Sequence, residues 1–390
     1  LAAVTKDIKR ALIATFVART AANAGLRVVY PFLPAIARGL GVTPSMMSAV
    51  IAVRNLGGLA SPAAARVAER KGRRWTMVLA TASVAVGCAL TVVTGSFVIA
   101  AAGIILVGLA KPAFDIAMQA WFGDRVPYSD RGRVFGITEL TWSAALVVAV
   151  LPAGFLIELT DWRAPFVLVV VFATVGTVAI LSGIGSDAPH AHVGGAFKLS
   201  SATLYVLVAA FMFSVAAEIP FNVYGQWLEV SFGLSVAGIG IFTLVVVAAE
   251  VVGEGIVVAV SDRWGLRNMV LGGLLTSAVA YLGFGLTGSS LPRAAVVVVI
   301  WIVAFEVTIV AAIPFASELT VEARERVLAL FAVMISLGRA AGALVAQPIY
   351  AEGGIGLVGL ASAGCVLVAA IMMGRVAEHA ARAGARPSAS

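Results

Sequence analysis

Twelve apolar runs, most near twenty residues long, occupy this chain of 390 residues and constrain its fold more than any other feature. They lie at 11–37, 45–65, 75–95, 97–121, 134–157, 164–184, 201–228, 235–260, 269–287, 293–316, 327–350 and 354–374. A helix rises about 1.5 Å per residue, so each run can cross about 30 Å of hydrocarbon. Within hydrocarbon every backbone N–H and C=O must find a partner in the protein, which leaves helices or closed barrels. Barrel strands would alternate apolar and polar residues over about ten positions; these runs do not alternate. Only 12% of the residues are charged and 61% are hydrophobic, too little polar surface for a water-soluble fold, which carries roughly a quarter charged residues. The expectation is an all-α membrane protein with twelve transmembrane helices. The first run is too long for the apolar part of a cleaved leader.

The net charge of +7 follows from topology, not from a nucleic-acid partner. With the N-terminus inside, 19 of the 27 basic residues fall on cytoplasmic segments and three, Arg38, Arg163 and Arg293, on the other side. Such asymmetry orients helical membrane proteins and puts both termini in the cytoplasm. Cys88 and Cys365 lie inside predicted helices and read as small apolar fillers. His190, His192 and His379 lie outside the helices and are too sparse for a metal site. No phosphate-cradling loop of the ATP-hydrolysing type occurs, so no cofactor is expected.

The chain repeats itself. A shift of 193 residues lays Glu69, Arg70, Gly72 and Arg74 on Asp262, Arg263, Gly265 and Arg267. The same shift lays Arg131, Arg133 and Val134 on Arg324, Arg326 and Val327. Two loops matching at one offset argue for duplication of a six-helix unit. The expected division is an N-terminal bundle over 1–185, a cytoplasmic linker over 186–200, and a C-terminal bundle over 201–390. The acid-Arg-x-Gly-x-Arg loop, with "DRVPYSDRGRVFGI" after the fourth helix and "DWRAPF" before the sixth, resembles the major facilitator superfamily over the whole chain. That resemblance implies the two-bundle major facilitator fold. It also implies a conformational latch made of Glu69, Arg70, Gly72, Arg73, Arg74 and Glu139, echoed by Asp262, Arg263, Gly265 and Arg267.

Charge inside a bilayer is costly, roughly 2.5–3.5 kcal/mol per group on insertion scales, and faces a cavity or a partner. Eleven such residues occur: Arg19, Arg27, Arg54, Lys111, Asp115, Glu139, Glu218, Glu250, Glu254, Glu306 and Arg339. The third, sixth, ninth and twelfth runs have none, as expected if those helices face lipid. The first half holds four cations and two anions, the second four anions and one cation. A cationic wall would attract an anionic solute. A carboxylate wall could carry protons, because low dielectric favours the neutral acid. Arg19, Asn23 and Arg27 are spaced by four and share a helix face. Substrate contacts are expected at Arg19, Asn23, Arg27, Arg54, Lys111, Arg339, Tyr224 and Trp301. Proton coupling is expected at Glu306, Glu250, Glu218 and Asp115.

The expected function is a monomeric, multi-pass secondary transporter of the inner or plasma membrane, working by alternating access, with a small-molecule substrate, protons and the lipid bilayer as its partners. Similarity to drug-exporter-like members favours proton-coupled efflux of an amphipathic anionic or zwitterionic solute. The alternatives are proton symport of an organic anion into the cell and, from another class, a transport-dead receptor.

Overall fold

A computed structural model describes residues 6–93, 95–185, 200–318 and 324–384, and every regular element among them is helical. Most of the expected linker, His190 and His192, and the side chains of Glu69 and His379 lie outside the described residues. The helices are α1 (Lys6–Arg27), α2 (Leu33–Leu40), α3 (Pro44–Asn55), α4 (Ser61–Lys71), α5 (Arg73–Val93), α6 (Phe97–Arg125), α7 (Tyr128–Glu139), α8 (Thr141–Ala145), α9 (Leu151–Leu159), α10 (Ala164–Gly183), α11 (Ser201–Phe232), α12 (Val236–Trp264), α13 (Leu266–Gly283), α14 (Leu291–Glu318) and α15 (Arg324–Gly384). Each of the twelve predicted spans falls on one or more of them.

Among the described residues, nine helical segments are long and apolar enough to cross a membrane, or ten if α2 and the helix after it, bent by 111°, form one broken span. The long α15 carries the last two predicted spans, because Gly353 and Gly354 leave helical geometry and break it in the middle. Helix α1, which carries Lys6, Asp7, Lys9, Arg10, Arg19 and Arg27, is not among these segments. The span at 134–157 is divided among α7, α8 and α9, with a π-helical turn at Leu146–Val150. Pro152 accounts for the π turn. It has no N–H to donate and its ring crowds the preceding turn, and a π turn beside it re-pairs the backbone.

Local sequence sets the helix ends. The Thr43 hydroxyl accepts from Met46 N at 3.3 Å and Pro44 begins α3, the combination favoured at N-termini. Ser200 caps α11 in the same way, accepting from Thr203 N at 3.1 Å. The two repeated loops share one backbone device. Gly72, between α4 and α5, has φ 87° and ψ 150°. Gly265, between α12 and α13, has φ 75° and ψ 146°. Only glycine occupies that region without strain. Gly72→Ala and Gly265→Ala should therefore each cost about 1–3 kcal/mol, read as a drop in the melting temperature of the detergent-solubilised protein. If either alanine is neutral, that loop does not need its glycine.

The chain forms two compact units, Leu1–Val193 with Leu234–Leu244 and Gly194–Gly233 with Val245–Ser390. The first turns of α12 join the first unit because Glu158 Oε1 accepts from Ala237 N at 2.8 Å. In that unit the core joins α1, α5, α6 and α10 through Leu12, Met77, Phe114, Met118 and Ile180. In the second, α11 packs on α15 through Val215, Ile219, Val223 and Ala346. Exposed apolar stripes run along the helices that carry no internal charge. They are Leu79, Val86 and Val93 on α5; Val167, Val171, Val175 and Val178 on α10; Leu275, Val279 and Leu282 on α13; and Leu360, Leu367 and Ile371 on the end of α15. Such stripes suit a lipid-facing surface.

Candidate functional site

The first unit gathers its internal charges around α1. Arg19 is 3% exposed, and four groups hold its guanidinium. Nε donates to Asp115 Oδ1 at 2.9 Å. NH1 donates to the Thr138 carbonyl at 2.5 Å and to Thr141 Oγ1 at 3.3 Å. NH2 meets Glu139 Oε1 at 3.0 Å. One side chain of α1 thereby ties together α6, α7 and α8. One turn on, Asn23 Nδ2 donates to Thr141 Oγ1 at 3.0 Å, while its buried Oδ1 has no hydrogen-bond partner among the described residues.

Lys111, also buried, pairs with Asp115 Oδ2 one turn along α6. Asp115 thus gives one oxygen to Arg19 and the other to Lys111. The Lys111 ammonium also lies 4.8 Å from the Trp142 ring centre, and Arg27 lies 5.0 Å from the same ring. Cations over an indole face are attracted by the ring quadrupole. The four groups joined by ion pairs, Arg19, Lys111, Asp115 and Glu139, sum to zero charge. Buried ions are tolerated on that condition.

Sequence reasoning found Arg19, Asn23, Arg27, Lys111, Asp115 and Glu139 and grouped them only within their own helices; the fold brings all six together. Glu139, expected in the latch, receives Arg19. Thr138, Thr141 and Trp142 escaped the sequence reading. Their only signal is position: "TELTW" stands at the break between α7 and α8. Thr141 Oγ1 accepts from both Arg19 and Asn23 and donates to the Thr138 carbonyl at 2.6 Å. Thr141→Val should cost about 1–3 kcal/mol, because two buried donors lose an acceptor. Thr141→Ser should cost much less. Thermal melts of both variants check this, and equal losses would remove the hydroxyl from the account.

Arg54 stands apart. It donates to the Leu26 carbonyl at 2.9 Å and to Tyr30 Oη at 2.7 Å, and its guanidinium lies 4.9 Å from the Tyr30 ring centre. Gly108 lets it sit there, since a Cβ on Gly108 would fall 2.5 Å from the Arg54 carbonyl oxygen. These contacts fasten α3 to α6 and to the end of α1. In the repeated loop, Arg73 pairs with Asp124 and donates to the Ala120 carbonyl at 2.8 Å. Arg74 donates to the Leu181 carbonyl at 2.6 Å. Arg70, Asp262 and Arg263 are exposed, and Arg267 is half-buried.

The second unit has its own ion pair, buried at its carboxylate end. Glu218 Oε2 accepts from Arg339 Nε at 2.8 Å, and its Oε1 accepts from Asn222 Nδ2 at 3.0 Å. Trp301 donates to Tyr281 Oη at 3.1 Å and packs on Phe221 with ring centres 4.5 Å apart. Its polar end is thus engaged inside an aromatic cluster. Tyr224, Glu250 and Glu306 are buried. The Glu306 stem packs where a Gly253 side chain would otherwise stand.

The family model described as "Major Facilitator Superfamily" matches residues 11–202 and 206–390. A relative from Bacillus subtilis (strain 168), named "Uncharacterized MFS-type transporter YwfA", is 26% identical over 140 residues, or 36% of this chain and 34% of that protein. The match therefore spans about a third of that relative's length. Among solved structures, the human organic anion transporter MFSD10 (TETRAN) is similar at TM-score 0.71 and 17% identity, covering 95% of this chain and 100% of that one. A POT family transporter in complex with a thioalcohol-conjugated peptide is similar at TM-score 0.80 and 11% identity, covering 94% and 96%. Charged side chains held inside apolar helices, two repeated loops, and a family match over nearly the whole length lead to one conclusion: the chain belongs to the Major Facilitator Superfamily and is a multi-pass membrane transporter, not an enzyme.

Proposed function

We propose that the protein carries a small organic anion by proton-coupled alternating access, and that Lys111 receives the anion. The observation that carries this reading is the unequal engagement of Arg19 and Lys111, the two buried cations that share Asp115. Arg19 is held by two carboxylates, a carbonyl and a hydroxyl. Lys111 has three N–H donors, one carboxylate partner and the face of an indole. An anion can take over from the indole at Lys111 without breaking up the set of contacts that joins α1 to α6, α7 and α8. Arg27, on the same indole, adds positive potential. Arg54 serves the packing of α3.

Equilibrium dialysis of the purified, detergent-solubilised chain against benzenesulfonate tests this. That anion stays ionised at every pH of interest. Saturable binding is expected, weakened roughly thirtyfold or more in Lys111→Met, the scale of losing a buried charge-assisted contact. No saturable binding to the unmodified protein, or equal binding to Lys111→Met, would refute the reading.

A further inference from the structure

We propose that the first unit holds an anionic phospholipid on its outer surface, with the headgroup phosphate between Arg74 and Arg10 and an acyl chain along α5 and α10. The site shares no residue with the Lys111 cluster. Helix α10 packs against both α1 and α5, and cations flank its last turn from both sides. From α5, Arg74 donates to the Leu181 carbonyl at 2.6 Å. From α1, Arg10 lies alongside, since a Cβ on Gly183 would stand 3.3 Å from the Arg10 carbonyl oxygen. Lys6 is four residues before Arg10 and shares its helix face, and both side chains are exposed. The first turns of α1 thus bring Lys6, Lys9 and Arg10 to this end with one carboxylate, Asp7.

The apolar part of the site begins where the cations end. Trp75, beside Arg74, is 51% exposed, and the Arg74 guanidinium lies 5.9 Å from its ring centre. Leu79 continues the exposed face of α5, and Val178 and Leu181 end the exposed stripe of α10. Aliphatic stripe, indole and cations follow one another in the order of acyl chain, glycerol and phosphate, and an indole suits the interfacial level. A guanidinium carries five N–H donors, so Arg74 can hold the Leu181 carbonyl and a phosphate oxygen together. A zwitterionic headgroup would bring its own ammonium to these cations; an anionic one brings only negative charge. Each basic residue close to such a lipid strengthens binding about fivefold. The carbonyls at a helix C-terminus attract a cation by themselves, and Arg74 meets that need. The repeat shows what is additional. The shift of 193 residues keeps Arg267 at the place of Arg74 but lays Leu199, Thr203 and Asn268 on Lys6, Arg10 and Trp75. The shared loop therefore needs its arginine, while the cations of α1 and the exposed indole belong to the first unit alone.

Native mass spectrometry of the full chain in neutral detergent, titrated with dioleoylphosphatidylglycerol or dioleoylphosphatidylcholine, tests this. The phosphatidylglycerol should bind roughly fiftyfold more tightly, the scale of three cations with one opposing carboxylate. Lys6→Gln combined with Arg10→Gln should cut that preference roughly twentyfold. Arg263→Gln combined with Arg375→Gln removes the same charge from exposed positions of the second unit and should leave the preference nearly unchanged. Brominated phosphatidylglycerol should quench tryptophan fluorescence more than brominated phosphatidylcholine, and Trp75→Phe should remove most of that difference. Equal losses in the two double variants would mean diffuse surface charge and overturn the site. No preference in the unmodified protein, or a quenching difference that survives Trp75→Phe, would overturn it too. Displacement of the lipid by millimolar glycerol phosphate would show a site for free phosphate and refute the lipid. Every substituted position is exposed, so the variants should fold, and their melting temperatures check that.

Discussion

Arg19→Met should destabilise the protein more than any other single change in the first unit. The substitution keeps the apolar stem and removes the charge. Asp115 is left with one cation, Glu139 with none from α1, and the Thr138 carbonyl without its donor. Breaking a buried ion pair from one side costs about 3–5 kcal/mol, a large share of the ~5–15 kcal/mol that holds a typical domain folded. Thermal unfolding in detergent should show a large drop. Pairing the change with Asp115→Asn should recover part of the loss, since the stranded charge is then gone. An unchanged melting point for Arg19→Met would mean that α1 is held by packing alone.

Glu218→Leu should have the largest such effect in the second unit, smaller than that of Arg19→Met. Glu218 is 1% exposed and holds Arg339 with one oxygen and Asn222 with the other. Removing it takes the carboxylate from the Arg339 guanidinium, which is 36% exposed at the side chain and stays partly hydrated, and from the Asn222 amide, at about 1–3 kcal/mol. A double-mutant cycle with Arg339→Met separates the pair from simple loss of volume, and a coupling of roughly 0.5–3 kcal/mol is expected for residues in contact. Additive losses would show that Glu218 and Arg339 do not support each other.

The fold was legible because hydrocarbon imposes length and composition on every spanning segment. The match between the two loops was legible because Gly72 and Gly265 hold a backbone conformation that few residues can replace. Arg19, Lys111 and Asp115 stood out because charge is rare among apolar neighbours. The four-residue spacing of Lys111 and Asp115 put those two on one helix face, but the grouping across helices was not legible: α1, α6 and α7 meet only in three dimensions, and spacing within a helix reveals nothing about neighbours on another. Thr141 and Trp142 escaped because both residue types are ordinary in membrane helices. Pro152 was visible in the span at 134–157, but the π turn beside it is set by how the backbone re-pairs. Arg54 carried the same signal as Lys111, yet its donors go to the Leu26 carbonyl and Tyr30. Charge alone does not separate a strut from a binding group.

The most direct test of transport is uptake of benzenesulfonate into proteoliposomes under an imposed pH gradient. The account predicts accumulation driven by the gradient, reversal when the gradient is reversed, and loss of both in Lys111→Met. Binding without flux under either gradient would make the protein a receptor, and flux indifferent to the gradient would remove the proton coupling; either result contradicts the account.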